Sequence, residues 1–84
     1  MTKNSKTTTR SKDPTAIRIG KRIALARKMA GFSTAKAFRL KLDDWPANRL
    51  SWYEAGYSMP LPADVERIAG LTGASPCWIQ FGLG

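Results

Sequence analysis

Eighty-four residues make at most one domain with a small core, which leaves room for a binding module and little more. The chain carries 14 Lys and Arg against 6 Asp and Glu, a formal net charge of +8, with no histidine and one cysteine. That inventory disfavours an enzyme, a metal site or a cofactor site: the usual acid–base players are missing, the carboxylates are scattered or adjacent, and a lone Cys77 makes neither an internal disulfide nor a zinc centre.

Residues 1–12, MTKNSKTTTRSK, are basic, polar and rich in Thr, and they lack the apolar segment of a secretory signal. This composition predicts a disordered basic tail, followed by one domain over residues 13–84. No apolar run approaches the roughly 18 residues of a membrane span, so a soluble chain without a membrane partner is expected. Cys77, between Pro76 and Trp78, reads as a semi-buried thiol, in keeping with a cytoplasmic location.

The punctuation of the chain predicts helices in order. Asp13-Pro14 is a capping residue followed by a proline whose missing N–H costs nothing, so a first helix is expected from Pro14 to about Ala30. Ile19, Ile23, Ala26 and Ala30 form its inward stripe, and Gly31 suits a left-handed terminus. Leu25 and Met29 lie off the stripe and are expected to widen the buried face rather than to form an exposed partner patch. Ser33 or Thr34 caps a second helix, with Phe38 and Leu42 inward. A turn follows at Asp43-Asp44, with Asp44 expected to cap a third helix that tolerates Pro46 in its first turn and ends at Gly56. Leu50 and Tyr53 then face the core, which turns Asn48, Arg49 and Trp52 outward. A fourth helix starts at about Pro62, with Val65, Ile68 and Ala69 inward, and breaks at Gly73. Ser75-Pro76 repeats the cap-then-proline signal and opens a short fifth helix, Cys77 to Phe81, that brings Trp78 and Ile79 to the bundle. There is no strand pattern and no internal repeat, so the expected class is all-α.

The charge is front-loaded. Residues 1–54 hold thirteen of the 14 Lys and Arg but only four of the 6 acids. Such an excess in a small domain points to a polyanion partner. The Asn48 amide suits adenine N6 and N7, and the planar fork of Arg49 suits guanine O6 and N7 or a phosphate. The Trp52 indole suits either a thymine methyl or packing over the second helix. Arg18, Lys21, Arg22, Lys28, Lys36 and Arg39 would supply sequence-independent attraction to phosphates, and Lys3, Lys6, Arg10 and Lys12 of the tail could follow the duplex or enter its minor groove.

The strings IGKRIALARKMAGFS, RLSWYEAG and VERIAGLTGASPCWI, with a proline-bounded loop between the last two, resemble the lambda-repressor-like (Cro/Xre) family of bacterial and phage helix-turn-helix regulators. The resemblance spans roughly residues 17–82 and implies a compact five-helix DNA-binding domain whose third helix lies in the major groove. Carried over by position, it implies base contacts from Ala47, Asn48 and Arg49, with Trp52 one turn later. It further implies a brace between Arg27 and Glu54 that holds Arg27 near phosphate, and phosphate contacts from Thr34, Tyr57 and Ser58. The small residue between the two motif helices would be Ala37 or Arg39. The turn, LDDWP, departs from the family form by about one extra residue and the lack of a glycine.

One such domain reads few base pairs, so binding as a homodimer to a pseudo-palindromic operator, with half-sites about 10 base pairs apart, is the expected remedy. Trp78, Ile79, Phe81 and Leu83 make an apolar C-terminal segment for a two-fold contact, unless Trp78 simply closes the core. The expected function is a sequence-specific double-stranded DNA-binding transcriptional regulator, a bacterial or phage repressor. The alternative is a protein-interaction module on the same fold, antitoxin-like or an adaptor of the transcription machinery, which the acidic turn favours.

Overall fold

A computed structural model describes residues 13–83. The expectations for the tail, residues 1–12, and for Gly84 lie outside the described residues. The first helix, α1 (Pro14–Met29), opens where a carboxylate oxygen of Asp13 accepts the Thr15 N–H at 2.7 Å. It closes where Gly31, at φ +98°, turns the chain so that the Phe32 N–H reaches the Arg27 carbonyl at 3.0 Å. Ala16, Ile19, Ile23 and Ala26 are buried along one stripe.

Three sequence expectations for α1 and α5 are corrected. Leu25 and Met29 are 47% and 77% exposed rather than buried. At about 100° per residue they lie some 200–240° around the helix from Ile23, and α1's partners cover only the stripe. Ala30 is also exposed, because it lies past the last turn of α1. Cys77 is exposed rather than semi-buried, since it lies two positions, about 200°, from the inward Ile79 on a helix of under two turns.

Of the two capping candidates for α2 (Ala35–Arg39), Thr34 is used: its hydroxyl oxygen accepts the Ala37 N–H at 3.1 Å. A single 3₁₀ turn, Leu40–Leu42, follows. Phe38 and Leu42 are fully buried.

The next stretch departs most from expectation. α3 (Arg49–Ala55) starts five residues beyond Asp44, with Asn48 at the cap position and no side-chain capping bond. Asp44 instead accepts a 2.7 Å hydrogen bond from Arg67. That bond is the main reason its carboxyl is held below the ordinary 3.8. The physical reason for the delayed start is Trp45, whose indole dives into the core and meets Tyr53 edge-on at 5.9 Å. The extra length of the LDDWP turn delivers this ring inward.

Leu50 and Tyr53 face inward from α3, and Gly56 ends it at φ +86°. α4 (Pro62–Thr72) buries Val65, Ile68 and Ala69 and gives way at Gly73. α5 (Pro76–Phe81) is capped by the Ser75 hydroxyl, which accepts the Trp78 N–H at 3.3 Å, and it buries Ile79 fully while Trp78 stays half-buried.

α1 is the hub, touching each of the other four helices. It packs tightly on α3 at Gly20, where a Cβ would lie 2.3 Å from the Tyr53 carbonyl oxygen and 2.7 Å from that of Glu54. The core gathers Ile19, Ile23, Phe38, Leu42, Leu50, Ile68 and Ile79 between the helices. Among the described residues the architecture is all-α, with five helices and no strand. No helix among them is long and apolar enough to cross a membrane.

Candidate nucleic-acid interface

The pattern that buries Leu50 and Tyr53 forces the opposite side of α3 outward. Ala47 and Asn48 are exposed just ahead of the helix, and Trp52, one turn on, is 53% exposed. The Trp52 N–H donates to the Asn48 carbonyl at 3.0 Å, which fixes that one-turn spacing. Ala47, Asn48, Arg49 and Trp52 line one groove of about 430 Å³, joined by Ser58, Met59 and Leu61 from the loop that follows α3. Tyr57 is exposed in the same loop, and its N–H donates to the Trp52 carbonyl at 3.0 Å.

Arg49 is not a loose surface cation. Its guanidinium lies 3.4 Å from the Asp64 carboxylate and 5.3 Å from the centroid of the Trp45 ring. The same Asp64 oxygen accepts the Tyr53 hydroxyl at 2.7 Å. Asp64 is buried in the first turn of α4, so both partners answer the cost of taking its charge out of water. Burial, and then the hydrogen bond to Asp64, push the Tyr53 phenol above its ordinary 10.0. About a third of the Arg49 side chain remains open to solvent.

Behind α3, Arg27 grips Glu54 with two nitrogens, Nε at 2.8 Å and Nη2 at 3.3 Å, while Nη1 donates to the Phe32 carbonyl at 2.7 Å. This is the pairing that the family resemblance implies. Arg27 is only 6% exposed, however, and its guanidinium is engaged within the protein, so its place is that of a strut between α1 and α3. Lys36 lies apart from the main groove. It lines a smaller one, of about 120 Å³, between α2 and α3, which shares Ala47. Ala35 and Arg39 line it too. Arg39 Nη1 also donates to the Ala47 carbonyl at 3.4 Å. Thr34 is exposed at the start of α2, with its oxygen in the capping bond.

Arg22, a candidate phosphate cation, is committed elsewhere: it donates to the carbonyls of Ile79 and Gln80 at 2.8 and 3.1 Å, at the end of α5. Sequence reasoning missed Asp64, Trp45, Met59 and Leu61. An acid in the first turn of a helix reads as ordinary dipole complementation, and nothing in the chain links it to an arginine fifteen positions earlier. Met59 and Leu61 flank Pro60 and read as connector. The one available signal was Trp45 itself, a large apolar residue in a turn otherwise built of polar residues and proline.

These features define a small all-α protein with a groove, part cationic and part apolar, along the exposed side of its third helix. Comparison with protein-family models, with curated proteins and with solved structures found no match.

Proposed function

We propose that the protein binds double-stranded DNA sequence-specifically and acts as a transcriptional regulator, a bacterial or phage repressor working in the cytoplasm. The observation that carries this reading is the pairing of faces on α3: Leu50 and Tyr53 are 1% and 6% exposed, while Asn48, Arg49 and Trp52 line one open groove. A major groove about 12 Å wide admits one helix with its side chains. α2, the turn and α3 then serve as a helix-turn-helix, as the resemblance to lambda-repressor-like regulators suggests.

In this reading Asn48 takes adenine and Arg49 guanine, with Ala47 close to the base edges. Lys36, Thr34, Tyr57 and Ser58 hold phosphates and set the register. Arg27 and Glu54 keep α3 from tilting. Two copies engage a pseudo-palindromic operator, because one copy reads too few base pairs for selectivity. The protein performs no catalytic step and needs no cofactor.

A second reading, a protein-interaction module, draws on the apolar Trp52, Met59 and Leu61 in the groove and on the acidic Asp43-Asp44 turn. Selection from a random duplex library, with a salt titration of the winner, separates the two. The expected result is an enriched inverted repeat whose selection weakens on Asn48→Ala and on Arg49→Ala. Salt-sensitive binding without enrichment removes the base-reading claim, and no binding at all points to a protein partner.

A further inference from the structure

The groove along α3 has a polar end and an apolar wall, and only the polar end is explained by hydrogen bonding to bases. Asn48 and Arg49 form that end. Trp52, Met59 and Leu61 form the wall and are 53%, 47% and 58% exposed, a concentration of apolar surface beside a cation. Resting on the DNA-binding reading above, we propose that this wall is a methyl-reading subsite. It takes the C5 methyl of a thymine next to the guanine bound by Arg49.

Two features argue for this occupant. The first is chemical: in the major groove the thymine methyl is the distinctive apolar group on a base edge, and apolar side chains are its complement. The second is charge. None of the residues lining the groove is acidic, Arg49 supplies a positive charge, and Lys36 and Arg39 border the adjoining groove through the shared Ala47. The carboxylate in contact with Arg49 is Asp64, which is buried and already bonded by Tyr53 and Arg49, while Asp44, which also feels the Arg49 charge, is paired with Arg67. A polyanion with an apolar tip fits this surface better than an uncharged apolar peptide.

The tether on Arg49 turns two separate contacts into one composite site. With Asp64 3.4 Å away on one side and the Trp45 ring 5.3 Å away on another, the guanidinium sweeps a restricted volume. The base it meets is therefore held at a set distance from the wall, and so is the neighbouring base.

The test uses the operator recovered by selection. Each thymine is replaced in turn by deoxyuridine, which removes the C5 methyl and keeps every hydrogen-bonding group. One position per half-site, adjacent to the guanine whose replacement is no longer felt after Arg49→Ala, should lose about three- to tenfold in affinity, the scale of one buried methyl group. Trp52→Ala and Met59→Ala, both at exposed positions, should bind the thymine and deoxyuridine operators equally, with unchanged melting of the free protein. An enriched operator that tolerates deoxyuridine everywhere overturns the inference and leaves the DNA-binding reading intact. So does a Trp52→Ala protein that still discriminates the two operators. Failure to enrich any sequence removes both.

Discussion

Gly20 sets the distance between α1 and α3. The atoms that a Cβ would strike, the carbonyl oxygens of Tyr53 and Glu54 at 2.3 and 2.7 Å, belong to backbone and cannot swing aside. Gly20→Ala should therefore destabilise the protein by about 2–3 kcal/mol through overpacking, although alanine is the better helix former by about 1 kcal/mol. Gly70, in α4, has nothing within 4 Å of its would-be Cβ, so Gly70→Ala should stabilise by about 0.5–1 kcal/mol. Denaturant midpoints at unchanged m-value check both. Neither outcome was legible in the sequence, where the two residues are both glycines inside helical patterns; what separates them is the element that lies opposite. Tyr53 gives a second prediction at this scale. Its folded-state pKa is raised, so the native protein holds the phenolic proton more tightly than the unfolded chain. The stability this contributes is fully present below about pH 10 and is lost as the pH climbs through the raised value. Tyr53→Phe removes the titration, so the stability gap between wild type and Tyr53→Phe should hold steady to about pH 9.5 and narrow above it. A series of denaturant titrations across pH measures that gap.

The helix boundaries that could be read from sequence are those with a local chemical cause. Asp13, Ser75 and one of the two candidates before α2 make the capping bonds that their residue types suggest, and Gly31, Gly56 and Gly73 end helices at positive φ. The start of α3 was not legible, because it depends on a burial event: once Trp45 enters the core, the chain needs several residues to return to the surface, and Asp44 is drawn to Arg67 of α4. The end of α5 is likewise fixed from outside, by Arg22 of α1. Its guanidinium donates to the Ile79 and Gln80 carbonyls and places a cation at the negative end of the helix. Arg22→Met keeps most of the stem and removes the head. It should cost about 1.5–3 kcal/mol, the range for hydrogen bonds to a charged group. Amide exchange should accelerate in α5 more than in α3; equal acceleration everywhere would mean that Arg22 acts on global stability alone.

At the scale of the molecule, all but one of the 14 basic residues and the open side of α3 share the N-terminal two-thirds of the chain, while α4 and α5 close the core behind them. Asn48, Arg49 and Trp52 were legible as the complement of an inward set given by helical periodicity, whereas Ala47 was implied by the family resemblance alone, and Arg49 is two-thirds covered rather than fully outward. The partners that shape this set were not legible: Asp64, Met59 and Leu61 arrive through the tertiary fold. The proposed division of labour predicts distinct responses to salt. Lys36→Ala should weaken DNA binding at every sequence alike and lower the slope of log affinity against log salt by about 0.9, one phosphate's worth. Arg49→Ala should instead flatten discrimination at one base position. A filter-binding or anisotropy series at several salt concentrations distinguishes the two.

The three tryptophans occupy three different environments, which gives the protein a built-in optical record of its state. Trp45 sits 9% exposed, beneath the Arg49 guanidinium and edge-on to Tyr53; Trp52 stands half in solvent; Trp78 lies partly covered on α5. Covering the groove should shift the emission of Trp52 toward the blue, with Trp45 responding only through the Arg49 guanidinium above it, whereas unfolding should move Trp45 strongly to the red. With Trp78→Phe as background, a single fluorescence titration would tell occupancy from denaturation without any label.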